Sequence, residues 1–136
     1  MATPPSGLAD IVGDDEDLAR FLTQTGHFNA FMAKPAAFMP CPADRETSVF
    51  RHGSEPREEL WTIGNACARD RNLYGVAIVK TRVVRESQLA VEADEPPPLH
   101  AAIRGWPWDE TDPDLSKAKR KGIAIAIASK ADLLTR

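Results

Sequence analysis

Leu73-Tyr74-Gly75-Val76-Ala77-Ile78-Val79 is the stretch on which the reading of the fold turns. Valine, isoleucine and tyrosine crowd a window of strand length, and β-branched and aromatic side chains suit a pleated, half-buried surface. The stretch predicts a strand over 73–79. Upstream, Ser54-Glu55-Pro56 opens an element with proline at a first helical position, and Glu58 and Glu59 fall in its first turn. Leu60, Ile63 and Cys67 share one face beside Trp61 and Ala66, which predicts a helix over 56–69. Downstream, 81–87 either continues the strand or forms one helical turn, and 89–93 reads as another strand.

Further out the signals thin. The acidic run Asp14-Asp15-Glu16-Asp17 precedes Leu18, Phe21 and Leu22. Negative charge before apolar residues spaced by three and four predicts a short helix over 15–24, ended by Gly26. Prolines bracket Lys34-Pro35-Ala36-Ala37-Phe38-Met39-Pro40, which reads as an extended edge strand. Thr47-Ser48-Val49-Phe50-Arg51 reads as a strand, and 99–104 as extended after the polyproline spacer Pro96-Pro97-Pro98. Asp112-Pro113-Asp114 is a helix start, and a long helix is expected to run from there to about Leu134. Within it the isoleucines of Gly122-Ile123-Ala124-Ile125-Ala126-Ile127 alternate as a strand would, but the alanines and the flanking segments favour helix.

The order helix, strands, helix, strands, helix predicts an α+β fold: a small, mostly antiparallel sheet covered by helices, with a long C-terminal helix. At 136 residues, 43% hydrophobic and 27% charged, the chain suits one globular domain over 14–136. Residues 1–13 read as a flexible leader, although Ile11 and Val12 are apolar enough to dock. The net charge of −3 is the wrong sign for general phosphate neutralisation, so a broad nucleic-acid binder is disfavoured. Two cysteines make no disulfide framework. Cys67 reads as a core residue, and Cys41, between Pro40 and Pro42, as a turn residue. Neither a signal peptide nor a membrane span is visible, and a cytoplasmic location is expected.

Few residues carry recognisable chemistry. Arg51 and His52 follow a predicted strand, with Glu58 and Glu59 nearby. An arginine there is able to grip an anion bidentately, and a histidine beside a carboxylate is able to move protons. The commoner arrangement of such residues is an ion pair between Arg51 and a helix-start glutamate, with His52 a solvated loop residue. His27, His52 and His100 lie far apart, without metal-ligand spacing. No metal and no cofactor are expected, since phosphate loops and a nucleophile elbow are also absent. Trp106-Pro107-Trp108 offers either a partner-binding surface or a core plug with hydrogen-bonded indoles. Lys117, Lys119, Arg120 and Lys121 form a basic turn suited to nucleic acid or an acidic partner, or to ordinary solvation.

Lys34-Pro35-Ala36-Ala37-Phe38, Thr47-Ser48-Val49-Phe50-Arg51, and Pro96-Pro97-Pro98-Leu99-His100-Ala101 leading into Gly105-Trp106-Pro107 together resemble a group of short, uncharacterised bacterial proteins. The resemblance spans about residues 18–136. It implies a bacterial source and a stand-alone domain, and no mechanism. The resulting expectation is a small cytosolic accessory domain that acts through a protein partner. The alternatives are a small hydrolase or nucleic-acid-processing enzyme using Arg51 and His52, and a weak nucleic-acid-binding module.

Overall fold

The structure, a computed structural model, describes residues 11–51, 57–95 and 97–135. Its frame is an antiparallel sheet of β1 (Asp17–Leu22), β2 (Thr47–Arg51), β3 (Gly75–Lys80), β4 (Ala90–Ala93), β5 (His100–Arg104) and β6 (Asp132–Thr135). The strand order is β4-β5-β2-β1-β3-β6. Helix α1 (Arg57–Ala68) covers one face, and α2 (Thr81–Glu86) and α3 (Pro113–Ser129) cover the other. The fold is α+β, with an antiparallel sheet between helices and a long helix near the C-terminus.

Alternation along the strands divides the core. Leu18, Leu22, Val49, Ala77, Val79, Ala101 and Ile103 pack with Val84, Ala124 and Ile127 of the two-helix side. Ala19, Phe50 and Val76, with Phe21 and Ile78, pack against Leu60, Ile63 and Cys67 of α1. The central strands are therefore apolar on both faces, and this is why residues 17–22 form a strand rather than the expected helix. A doubly buried strand shows no clean alternation, and Leu18, Phe21 and Leu22 mimic helical spacing. The acidic run before them does not serve a helix dipole. Asp14 pairs with Arg85 at 2.5 Å, Asp15 with Arg82, Glu16 with Arg51 at 2.7 Å and Asp17 with Lys80 at 2.9 Å.

Two other expectations change. Residues 34–40 are not a strand: Pro35–Ala37 form a 3-10 turn, with the Phe38 N–H donating to the Pro35 carbonyl at 3.0 Å. Proline sets the backbone for that turn and has no N–H to donate to a ladder. The long helix stops at Ser129, and the chain returns as β6 against β3, with Leu134 opposite Val76. That strand covers the edge of β3, whose backbone groups need partners. The alternating isoleucines do lie in helix: Ser116, Arg120, Ala124, Ile127 and Ala128 form one buried stripe at helical spacing. Val12 is buried in the core, while residues 1–10 of the expected leader lie outside the described residues.

One irregularity in the sheet creates the site described below. β1 pairs with β3 along its length, from Asp17 opposite Lys80 to Leu22 opposite Gly75. It pairs with β2 only at Leu18–Arg51 and Ala19–Phe50. Beyond that point the strands part, and Arg20 fills the opening. Its Nε donates to the Ala37 carbonyl at 2.7 Å and its Nη1 to the Ser48 carbonyl at 3.0 Å. The guanidinium thus partners one strand carbonyl, that of Ser48 in β2, beyond the last β1–β2 pair, and ties it to the carbonyl that ends the 3-10 turn.

Candidate functional site

The residues singled out from sequence have mostly structural surroundings. Arg51 is 1% exposed, and its Nε and Nη2 grip both oxygens of Glu16 at 2.7 and 2.8 Å. A buried fork held this way is not presented to a ligand from solvent. Burial raises the Glu16 carboxyl pKa. The hydrogen bonds from Arg51 and the Gly13 N–H, with the charges of Arg51 and Arg85, outweigh burial and hold it below its ordinary value. His52 lies outside the described residues, and Glu58 and Glu59 are exposed in the first turn of α1.

Trp106 is buried in the two-helix core, as the core-plug alternative has it, but its indole N–H finds no acceptor among the described residues. Trp108 is half-buried, with the guanidinium of Arg120 at 3.8 Å and that of Arg45 at 4.9 Å from its ring centre. Arg120 is turned inward, its Nη1 donating to the Pro107 carbonyl at 3.0 Å and to Ser116 Oγ at 2.8 Å. Only Lys117, Lys119 and Lys121 of the basic turn are exposed.

A cleft of about 450 Å³ opens where β1 and β2 part, on the α1 side of the sheet. Phe21, Phe50 and His100 form a row of rings along it, with Phe50 5.2 Å from Phe21 and 5.3 Å, edge-on, from His100. Arg20, Arg69, Arg71 and His27 line the remainder, together with Thr23, Ser48 and Cys67. No aspartate or glutamate is among the described lining residues, in a chain whose 20 acids outnumber its 17 lysines and arginines. None of the three arginines makes an ion pair with a carboxylate among the described residues.

Local chemistry explains how cations come to be placed there. Helix α1 ends at Ala68, and Arg69 takes a left-handed conformation (φ 59°) with its N–H donating to the Asn65 carbonyl at 3.1 Å. This reverses the chain in the way that glycine usually does. Arg71 then folds back: Nε donates to the Ala68 carbonyl at 3.3 Å and Nη1 to Thr23 Oγ1 at 3.3 Å. A cation at a helix C-terminus is favourable in itself. Such partners satisfy hydrogen bonds and leave the positive charge uncancelled. Burial, reinforced by the Arg71 charge, pulls the Arg20 pKa below its ordinary value. Burial and the Arg20 charge do the same to His27. Burial pushes the Cys67 thiol up despite the charges of Arg69 and Arg71.

At the sheet end of the cleft, His100 stands between Asp94 and Ser48. Its Nδ1 is 2.8 Å from the Asp94 carbonyl oxygen and 3.4 Å from Asp94 Oδ2, and its Nε2 is 3.2 Å from Ser48 Oγ. A hairpin holds the arrangement. β4 and β5 pair up to Ala93 opposite Ala101, and the Asp94 N–H donates to the His100 carbonyl at 2.9 Å. Leu99 enters β5 at φ 69°, a strained conformation for a leucine, immediately before the histidine.

The fold therefore brings together His27 and His100, which are distant in sequence, and adds Arg20, Arg71 and Ser48, which sequence reading did not single out. No run or motif announces them. The only local signal is Arg69-Asp70-Arg71 after a helix end, and the rest follows from the parting of two strands. Among the described residues no group of three or more His, Cys, Asp or Glu is placed to hold a metal ion. None of the described helices is long and apolar enough to cross a membrane. The chain matches no protein-family model, no curated protein and no solved structure.

Proposed function

We propose that this protein acts by binding, and that its ligand is a small organic anion with a flat or apolar portion, taken into the cleft beside Arg20 and Arg71. The observation that carries this reading is the charge of the lining: three arginines, with no carboxylate among the described lining residues. In an acidic chain a cluster of like charges is electrostatically unfavourable, and an entering anion relieves it. The cleft's volume is within the range of small-molecule sites, which combine apolar walls with a few polar groups that fix orientation. Phe21 and Phe50 provide such a wall, and the guanidinium groups provide planar donors for a carboxylate or phosphate. The accessory role expected from the sequence fits this reading, with an anionic group of a metabolite or of a partner as the ligand.

Calorimetric titration with phenyl phosphate and benzoate, against neutral benzamide, tests it. The two anions should bind saturably and benzamide should not. Arg71→Ala should weaken the anions by about 10–100-fold, the worth of one charged hydrogen-bonding group at roughly 1.5–3 kcal/mol. Equal behaviour of anions and benzamide would refute the reading.

A further inference from the structure

We propose that the cleft is also a hydrolytic site, in which Ser48 is a nucleophile and His100 its general base, acting on carboxylic esters that carry an anionic group. The inference rests on the anion-binding reading for its substrate class and on the Asp94–His100–Ser48 chain for its chemistry.

Hydrogen bonding sets the state of the imidazole. A carbonyl oxygen only accepts, so the 2.8 Å approach of the Asp94 carbonyl to His100 Nδ1 puts the ring proton on Nδ1. In the neutral ring Nε2 then holds a free lone pair, and its partner at 3.2 Å, Ser48 Oγ, must donate to it. That is the orientation in which an imidazole takes a proton from a serine. Asp94 Oδ2, 3.4 Å from Nδ1, provides negative charge on the side of the ring where the imidazolium must be stabilised. The Asp94 carboxylate, about half exposed, is also 3.7 Å from Arg104, whose other partners are Glu46 and Glu92.

Position supports the assignment. Ser48 is exposed and lines the cleft, and the Arg20 guanidinium is fastened to its carbonyl oxygen at 3.0 Å. A serine and a histidine diagonally across two paired strands are common as a surface hydrogen bond. Here the pair faces a cavity with an aromatic wall and an uncancelled cation beside the nucleophile, and a surface hydrogen bond needs neither.

The reaction balances with water as the only co-reactant. Ser48 Oγ bonds to the ester carbonyl carbon while its proton passes to His100 Nε2. The carbonyl oxygen becomes negative, with the Arg20 charge nearby to stabilise it. The bond from carbon to the alcohol oxygen breaks, and Nε2–H protonates the departing alkoxide, leaving the acyl group on Ser48. Water then bonds to the acyl carbon and gives its proton to Nε2. The carbon–Oγ bond breaks, Oγ recovers the proton from Nε2, and the free acid leaves.

The test uses the full chain with a fluorophosphonate probe, 4-nitrophenyl succinate as an anionic ester, and 4-nitrophenyl acetate as its neutral counterpart. The probe should add one phosphonyl group, located on Ser48 by peptide mass spectrometry. Succinate ester hydrolysis should exceed acetate ester hydrolysis. Both labelling and hydrolysis should fall at least about 100-fold in Ser48→Ala and in His100→Asn, which keeps a donor for the Asp94 carbonyl but no basic nitrogen. Phenyl phosphate binding is measured on the same wild-type sample. If phenyl phosphate binds and Ser48 stays unlabelled with no ester turnover, the hydrolytic proposal is overturned and the anion-binding reading stands. If neither occurs, both fall. If Ser48 labels and phenyl phosphate does not bind, the nucleophile stands and the anionic substrate class is overturned.

Discussion

Glu16 and Arg51 show what a single buried ion pair does in this chain. Removing one partner of a buried pair is costly, on the order of 3 kcal/mol. Glu16→Gln is therefore expected to lose stability of that size at neutral pH. The folded-state pKa of Glu16 is lowered, so its contribution is complete above the ordinary carboxylate range and is lost as pH falls through the folded value. Denaturant melts at about pH 7 and about pH 3 should bring the wild type down towards the variant. Two parallel curves would contradict the pairing. His27 carries a linked prediction in the opposite sense. Burial and Arg20 depress its pKa, and a bound anion offsets the Arg20 charge. Anion binding should then raise the His27 pKa and take up a proton, so affinity should strengthen as pH falls through its titration. Imidazole NMR signals followed with and without phenyl phosphate check this, and an unchanged His27 titration would count against an anion beside Arg20.

Glycines separate tight from open packing between elements. A Cβ at Gly64 on α1 would come within 2.7 Å of both Leu73 Cδ2 and Phe21 Cδ1. Gly64→Ala should therefore cost about 1–3 kcal/mol through overpacking, despite the better helix propensity of alanine. It also presses on Phe21, and should weaken anion binding along with stability. Gly122 on α3 is exposed and has nothing within 4 Å of such a Cβ. There the same substitution should stabilise by about 0.5–1 kcal/mol. Thermal melts of the two variants should move in opposite directions. Gly75 is the third case: a Cβ would come within 2.6 Å of the Leu134 carbonyl, so Gly75→Ala should detach β6. Loss of amide protection over 132–135, with α3 unchanged, is the expected hydrogen-exchange result.

Much of the layout was legible in the sequence because it depends on local signals. Proline and acids mark the start of α1, Asp112-Pro113-Asp114 starts α3, and β-branched runs mark β2 and β3. The Asp112 side chain accepts from the Leu115 N–H, as a cap should. What was not legible depends on partners distant in the chain. Residues 17–22 are a strand because both of their faces are covered, and 132–135 are a strand because β3 offers an open edge. The cleft is a third instance. Arg51 read as an anion grip or as an ion pair with a helix-start glutamate, and it is an ion pair, with Glu16 instead, whereas Arg20, which read as part of a helix, fills the gap between two strands and brings its charge to the cavity. Leu99 and Arg69, in conformations that sequence rules reserve for glycine, set the turns that deliver His100 and the arginines.

At the scale of the whole molecule, a chain of net charge −3 carries a cation-lined cleft, and its function turns on what that cleft takes up. The most direct measurement is a backbone amide NMR titration with phenyl phosphate. An anion seated in the cleft should give saturating shifts confined to Arg20–His27, Ser48–Phe50, Ala66–Arg71 and His100. Shifts centred on Lys117–Lys121, or spread without saturation over the basic surface, would contradict it.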